Sequence, residues 1–231
     1  MTGKRRSGGS LVAAVAAVSG VTAANRAGLV ELSALASSPR TAGEGKVWLL
    51  VTSAFVAATP TAASLLAFAA FAIAALLVCG PRLMWTVGIA GHVGSAAAVY
   101  ATIAVARAIV PTAFENVLAI FDYGTSAMIA AWLGALAAAG WIRHPRIGPR
   151  LGVIAVSLLS AGVGWLCRPD LTPLDSEHVV AYAIGVAAVG GAAWEYPRRV
   201  SREWLAMAGG LMRRGSALAG RLGLALRQQQ V

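Results

Sequence analysis

From Val47 to Cys79 the chain runs for 33 residues without a charged side chain. That exceeds the roughly 20 apolar residues that cross a hydrocarbon core about 30 Å thick. Further long apolar stretches follow, and with 58% of residues apolar and only 12% charged they are too frequent for a soluble core. The chain therefore reads as a polytopic membrane protein. Its spans must be helices, because lipid offers no hydrogen-bond partner to open backbone.

Six spans are expected, at 10–30, 60–79, 83–106, 124–141, 151–167 and 177–196. Thr59-Pro60-Thr61 divides the long uncharged run, since proline suits a first helical turn and disfavours helix in the residue before it. That leaves Trp48–Ala58 as an interfacial or re-entrant piece. The fold class is thus an all-α, six-transmembrane-helix bundle at 10–196, with a short N-terminus (1–9) and a basic tail (197–231).

A net charge of +10 raises the question of nucleic acid, but the basic residues cluster beside alternate apolar segments. Lys4, Arg5 and Arg6 precede the first span, and Arg82 lies between the second and third. Arg143, Arg146 and Arg150 follow the fourth; Arg198, Arg199 and Arg202 follow the sixth. The opposite loops hold Glu31, Glu44, Glu115, Asp122, Asp170, Asp175 and Glu177 against Arg40, Lys46 and Arg168. This positive-inside pattern puts both termini in the cytoplasm of a multi-pass plasma-membrane protein whose partner is the bilayer, with no role for nucleic acid.

The first 30 residues also have the basic start and apolar run of a signal peptide. The apolar stretch continues to Val30, long enough to span, and cleavage would leave the other five orientations unchanged. The tail from Ser201 to Val231 interleaves arginines with Trp204, Leu205, Met207 and several leucines. Two readings of it are open: a helix lying on anionic lipid, and a solvated tail. Cys79 and Cys167 fall at opposite membrane faces, which excludes a disulfide between them.

Small residues are dense within the spans, as in Gly88-Ile89-Ala90-Gly91 with Gly94, and from Gly185 to Gly190-Gly191. They allow close helix approach. No inverted repeat of the transporter kind is visible. The outer loops 31–47 and 107–123 are the long ones, and the Phe114–Phe121 run within 107–123 has an amphipathic pattern.

Two polar residues stand at helix mouths: Ser126, in Asp122-Tyr123-Gly124-Thr125-Ser126-Ala127, and His178, in Ser176-Glu177-His178. Counted from the basic residues at the other end, Arg143 to Ser126 is 17 residues and Arg198 to His178 is 20. At a helical rise of 1.5 Å these are depths of about 26 and 30 Å. A serine hydroxyl and an imidazole at one depth form the minimum arrangement for an activated nucleophile. Gly124 permits close backbone approach, and the helix start offers free amides to a developing oxyanion. The plainer reading makes Ser126 an N-cap and His178 an interfacial cap of its own helix.

At these residues the chain resembles the rhomboid intramembrane serine proteases. That family has six core helices, a serine in G-x-S-G at the start of the fourth, and a histidine in H-x-x-G-x-x-x-G in the sixth. Gly124-Thr125-Ser126-Ala127 matches the first motif with Ala for the last Gly; His178 is followed by Ala181 and Gly185 at the fourth and eighth positions. Trp48-Leu49-Leu50-Val51-Thr52-Ser53-Ala54-Phe55 is similar to the family's W-R-x-x-T-x-x-F, with Leu49 replacing Arg. Asp122, Gly124 and Ser126 match the D-x-G-x-S of a divergent actinobacterial rhomboid-like group. The resemblance covers roughly 45–196.

It implies a Ser126/His178 dyad cleaving transmembrane protein substrates, supported by Gly124 and by helix packing at Gly185, with no cofactor. Two departures bear on activity. The family's second-helix His and Asn, which serve the oxyanion hole, have no counterpart in Thr61–Phe68, and the aromatic residue one turn after the nucleophile is Ala130. His92 is the alternative oxyanion donor. Counting 10 residues from Arg82 puts it about 15 Å up, roughly 10 Å below Ser126, which favours a structural hydrogen bond. A metal held by His92, His178, Asp122 and Glu177 lacks any recognisable ligand spacing. The rival class is a catalytically inactive rhomboid-like protein that binds client transmembrane helices.

Overall fold

The computed structural model describes residues 3–143 and 173–192, which are mostly helical and contain no β-strand. The expected span 151–167, the end of the last expected span, Cys167 and the basic tail lie outside the described residues. The chain divides into compact units Met1–Trp194 and Glu195–Val231, and all described residues belong to the first. Its helices are α1 (Gly3–Arg26), α2 (Pro39–Gly43), α3 (Leu49–Thr52), α4 (Thr61–Ile109), α5 (Ser126–Arg143) and α6 (Glu177–Ala192), with short 3-10 turns at Leu32–Ala34, Ser53–Phe55, Glu115–Val117 and Pro173–Ser176.

α4 begins at Thr61, directly after Pro60, where the proline was expected to divide the apolar run. It is interrupted at Gly80, whose φ of 84° lies in the region that favours glycine, with Pro81 next. The break reverses the chain. Phe68 packs its ring on Trp132 with centroids 5.2 Å apart, while the Trp132 indole N–H donates to the Met84 carbonyl at 2.8 Å. Residues 68 and 84 would lie about 24 Å apart on a straight helix, too far for one indole to meet both. The limbs 61–79 and 81–109 therefore fold back on each other, at the point where the second and third spans were expected to part.

α4 and α5 are each long and apolar enough to cross a membrane. Only 28% of the most apolar window of α4 is buried inside the protein, and Leu66 and Ile109 are 72% and 77% exposed. A helix apolar all round and left uncovered suits lipid better than water. α5 is the central element, packed on both α4 and α6, with Met128, Ala131, Trp132 and Ala135 buried. The main core joins these to Ala14 and Val18 of α1, to Phe68, Ala72, Met84 and Val87 of α4, and to Ala181 and Val189 of α6.

Glycines set the approach of these helices. A β-carbon on Gly91 would overlap that of Ala131, one on Gly134 would overlap the Tyr182 carbonyl, and one on Gly185 would overlap the Ala131 carbonyl. These contacts place the crossing of α5 and α6 near Gly134 and Gly185. Small residues at close helix crossings are the usual packing device in lipid, where apolar side chains gain little by leaving the solvent.

The loops 31–47 and 107–123 are tied together. Ser37 and Asp122 exchange backbone hydrogen bonds of 3.1 and 2.8 Å in an isolated antiparallel bridge, and Arg40 N–H donates to the Leu118 carbonyl. Trp48–Ala58 forms α3 and a 3-10 turn whose Leu49, Ala54 and Ala57 are buried. Thr52, from the segment similar to the rhomboid motif, donates its hydroxyl proton to the Leu35 carbonyl at 2.8 Å. The Thr22 hydroxyl of α1 accepts from Ala57 N–H.

Candidate functional site

Ser126 is the first residue of α5 and His178 the second of α6. The Glu177 side chain, at the start of α6, lies near that of Asp122, four residues before Ser126. The two helices therefore start at the same end. Ser126 precedes Gly134 by eight residues and His178 precedes Gly185 by seven. Measured from the crossing, these are about 12 and 11 Å along the helices, so the serine and histidine occupy one level.

The Ser126 hydroxyl is half-buried, and no hydrogen bond joins it to His178. His178 Nδ1 lies 3.1 Å from the Asp175 carbonyl oxygen. A carbonyl can only accept, so Nδ1 carries a proton, and in the neutral imidazole Nε2 then holds the lone pair. Among the described residues Nε2 is buried without a partner. Gly124 is held by its N–H on the Ser53 carbonyl at 3.1 Å, with a φ of 129° that a side chain would strain. The first backbone bond within α5 runs from Ile129 N–H to the Thr125 carbonyl, so the amides before it are the unpaired donors of a helix start.

His92 differs from its expected place. It is 1% exposed, and its Nε2 lies 2.9 Å from Ser53 Oγ, while Nδ1 is buried without a partner among the described residues. Since a β-carbon on Gly91 would overlap that of Ala131 and lie 3.8 Å from the Ala127 carbonyl oxygen, His92 stands beside the 127–131 stretch, about one turn from Ser126. Basic residues were a poor ruler here. Nine residues separate Arg82 from Gly91, but at least twelve separate Arg143 from the Ala127–Ala131 stretch that Gly91 meets, so Arg82 and Arg143 do not mark equal depths.

His92 belongs to a continuous polar chain. Ser53 Oγ lies 3.4 Å from Ser37 Oγ, which lies 3.0 Å from Tyr100 OH; Tyr100 donates to Asp122 Oδ2 at 2.9 Å, and Asp122 meets Glu177. Ser37, Ser53, Tyr100 and Glu177 are all buried. Reasoning from the sequence took Asp122 and Glu177 as loop charges and as members of a rejected metal set, with Asp122 also in the D-x-G-x-S match, and it gave Ser37, Ser53 and Tyr100 no hydrogen-bonding role. One signal was available: Tyr100 falls two turns after His92, roughly on the same helix face.

Ala130, at the family's aromatic position, is buried in the core, as is Ala181 on α6. Among the described residues no group of three or more His, Cys, Asp and Glu is placed to hold a metal ion. The chain matches no protein-family model, no curated protein and no solved structure. The site thus stands on its own geometry: a helical protein with membrane-length apolar helices and a buried polar cluster where two helix mouths meet.

Proposed function

We propose that the protein is a rhomboid-like intramembrane serine protease, a six-span bundle in the plasma membrane with both termini cytoplasmic and the Ser126/His178 mouth facing outward. The observation that carries this reading is the placement of His178: Nδ1 is committed to the Asp175 carbonyl, so Nε2 is the nitrogen left to act as base, at the level of a half-buried serine and without a partner among the described residues. Nε2 takes the Ser126 proton as Oγ attacks the scissile carbonyl, then returns it to the leaving amine as the peptide C–N bond breaks. Water, deprotonated by the same nitrogen, hydrolyses the acyl-serine. The free amides at the start of α5 receive the oxyanion. The pair must close to hydrogen-bond distance on substrate, as apo catalytic contacts often do.

A second reading has its own support: Ser126 and His178 are not hydrogen-bonded, Thr61–Phe68 lacks the His/Asn pair, and Ala130 gives the imidazole no ring to pack on. On that reading the same mouth binds client transmembrane helices without cleaving them. A fluorophosphonate serine probe applied to the purified protein separates the two. Labelling mapped to Ser126 and lost in His178→Ala supports the protease; an unlabelled wild type that still captures membrane-protein clients supports the binding protein.

A further inference from the structure

We propose that Ser53 and His92 are positioning residues for the nucleophile: the hydrogen bond between them fixes the carbonyl from which Gly124, and with it the start of α5 at Ser126, is hung. Ser53 opens a single 3-10 turn, Ser53–Phe55, whose internal hydrogen bonding is poorer than that of an α-helix. Its side chain supplies the anchor. Ser53 Oγ lies 2.9 Å from His92 Nε2, with the two residues only 0% and 1% exposed. Its other hydroxyl contacts, to Ser37 Oγ and the Leu50 carbonyl, are both 3.4 Å, so His92 is the close partner. The backbone carbonyl of the same serine accepts from Gly124 N–H at 3.1 Å.

These links close into a ring. His92 follows Gly91, where a β-carbon would overlap that of Ala131 on α5. α5 leads back from Ala131 to Ser126, whose Oγ is 3.7 Å from where a Gly124 β-carbon would stand. From Gly124 the ring returns through Ser53 to His92. α5 is therefore held against α4 both at Ala131, by packing, and at its mouth, by Ser53. The second hold matters because Gly124 has a φ of 129°, a conformation that glycine enters and leaves without steric cost. A torsional change there carries Ser126 and the free amides after it away from His178 together. The effect on Ser126 chemistry rests on the protease reading; the hold on Gly124 does not.

The test compares wild type with Ser53→Ala, His92→Leu, His92→Gln and Thr52→Val in detergent. Two things are read: hydrogen exchange of the Gly124 amide, and the maximal rate (kinact) and half-saturating concentration (KI) of fluorophosphonate labelling at Ser126. In Ser53→Ala the Gly124 amide should exchange about 10-fold faster or more, the scale for losing one buried hydrogen bond. Its kinact should fall by on the order of 10²-fold at unchanged KI, the scale for misplacing a catalytic group by about 1 Å. His92→Leu should match it. The side-chain amide of His92→Gln can still reach Ser53 and should restore most of both losses. Thr52→Val removes the neighbouring hydroxyl, which bonds the Leu35 carbonyl instead of His92. It should lower the unfolding temperature while leaving Gly124 exchange and kinact at wild-type values.

Unchanged Gly124 exchange in Ser53→Ala overturns the hold. Faster exchange with wild-type kinact overturns the positioning role alone. Equal losses in His92→Gln and His92→Leu, or a fall in kinact for Thr52→Val as large as for Ser53→Ala, also overturn it, in favour of a purely structural role. A wild type that never labels, beside faster Gly124 exchange in Ser53→Ala, defeats the protease reading and the positioning role together and leaves Gly124 held by Ser53 and His92.

Discussion

The α-carbon of Gly185 lies so close to the Ala131 carbonyl that any β-carbon there would overlap it, and Gly134 stands in the same relation to the Tyr182 carbonyl. Each glycine thus admits the other helix's backbone, which cannot rotate aside as a side chain would. Gly185→Ala and Gly134→Ala should each lower stability, although alanine is the better helix former by about 1 kcal/mol. Overpacking against backbone should outweigh that gain, for a net loss of about 1–3 kcal/mol. Gly190, where a β-carbon would meet nothing within 4 Å among the described residues, is the control. Gly190→Ala should be neutral or stabilising, and thermal unfolding in detergent checks all three.

The polar chain from His92 to Asp122 predicts non-additive losses. Tyr100→Phe removes the donor to Asp122 and the contact to Ser37, and should cost about 1–3 kcal/mol as buried groups lose partners. Ser37→Ala should cost less on its own. Because both variants break the Ser37–Tyr100 contact, the double variant should cost less than the sum, by about 0.5 kcal/mol or more. Strict additivity in a double-mutant cycle would mean that the two hydroxyls act independently.

His92→Ala sharpens the distinction between structure and chemistry. If His92 serves the fold through Ser53, its loss should lower unfolding temperature while leaving measurable Ser126 labelling. Complete loss of labelling at unchanged stability would place the unpartnered Nδ1 in the oxyanion site instead.

The features legible in the sequence were those set by short-range rules. Pro60 marks where α4 starts, because proline's effect on the preceding residue is local. The reversal at Gly80 is readable for the same reason, from Gly80-Pro81-Arg82 between two apolar runs. The level of His92 was not legible, since it depends on where Gly91 meets Ala131, a tertiary contact that counting from the basic residues does not supply. Ser37 and Ser53 were invisible for a related reason. A serine in an apolar stretch is ordinary until tertiary packing decides what its hydroxyl faces, and here the bridge between Ser37 and Asp122 joins residues 85 apart in sequence.

Orientation can be read chemically. With Cys79 and Cys167 replaced, single cysteines at the exposed positions Glu44 and Glu115 should react with an impermeant thiol reagent added outside cells. Cysteines beside Arg146 and Arg199 should react only after permeabilisation. External reaction beside Arg146 would invert the proposed topology and put the Ser126 mouth in the cytoplasm.

The dyad makes the most demanding prediction. If Ser126 and His178 form one catalytic unit, Ser126→Ala and His178→Ala should each abolish cleavage of a transmembrane-helix reporter, and the double variant should be no worse than either, since removing one member already disables the unit. Neither change should unfold the protein: Ser126 Oγ makes no hydrogen bond among the described residues, and His178 contributes only its contact to the Asp175 carbonyl. Wild-type turnover should itself be slow. Without the His/Asn pair in Thr61–Phe68 the oxyanion lacks side-chain donors, and loss of one such donor typically costs about 10²–10³ in rate. A long incubation with reporter is therefore required before a negative result counts. If wild type and Ser126→Ala still leave every reporter intact while capturing the same membrane-protein clients, cleavage is not what this mouth does.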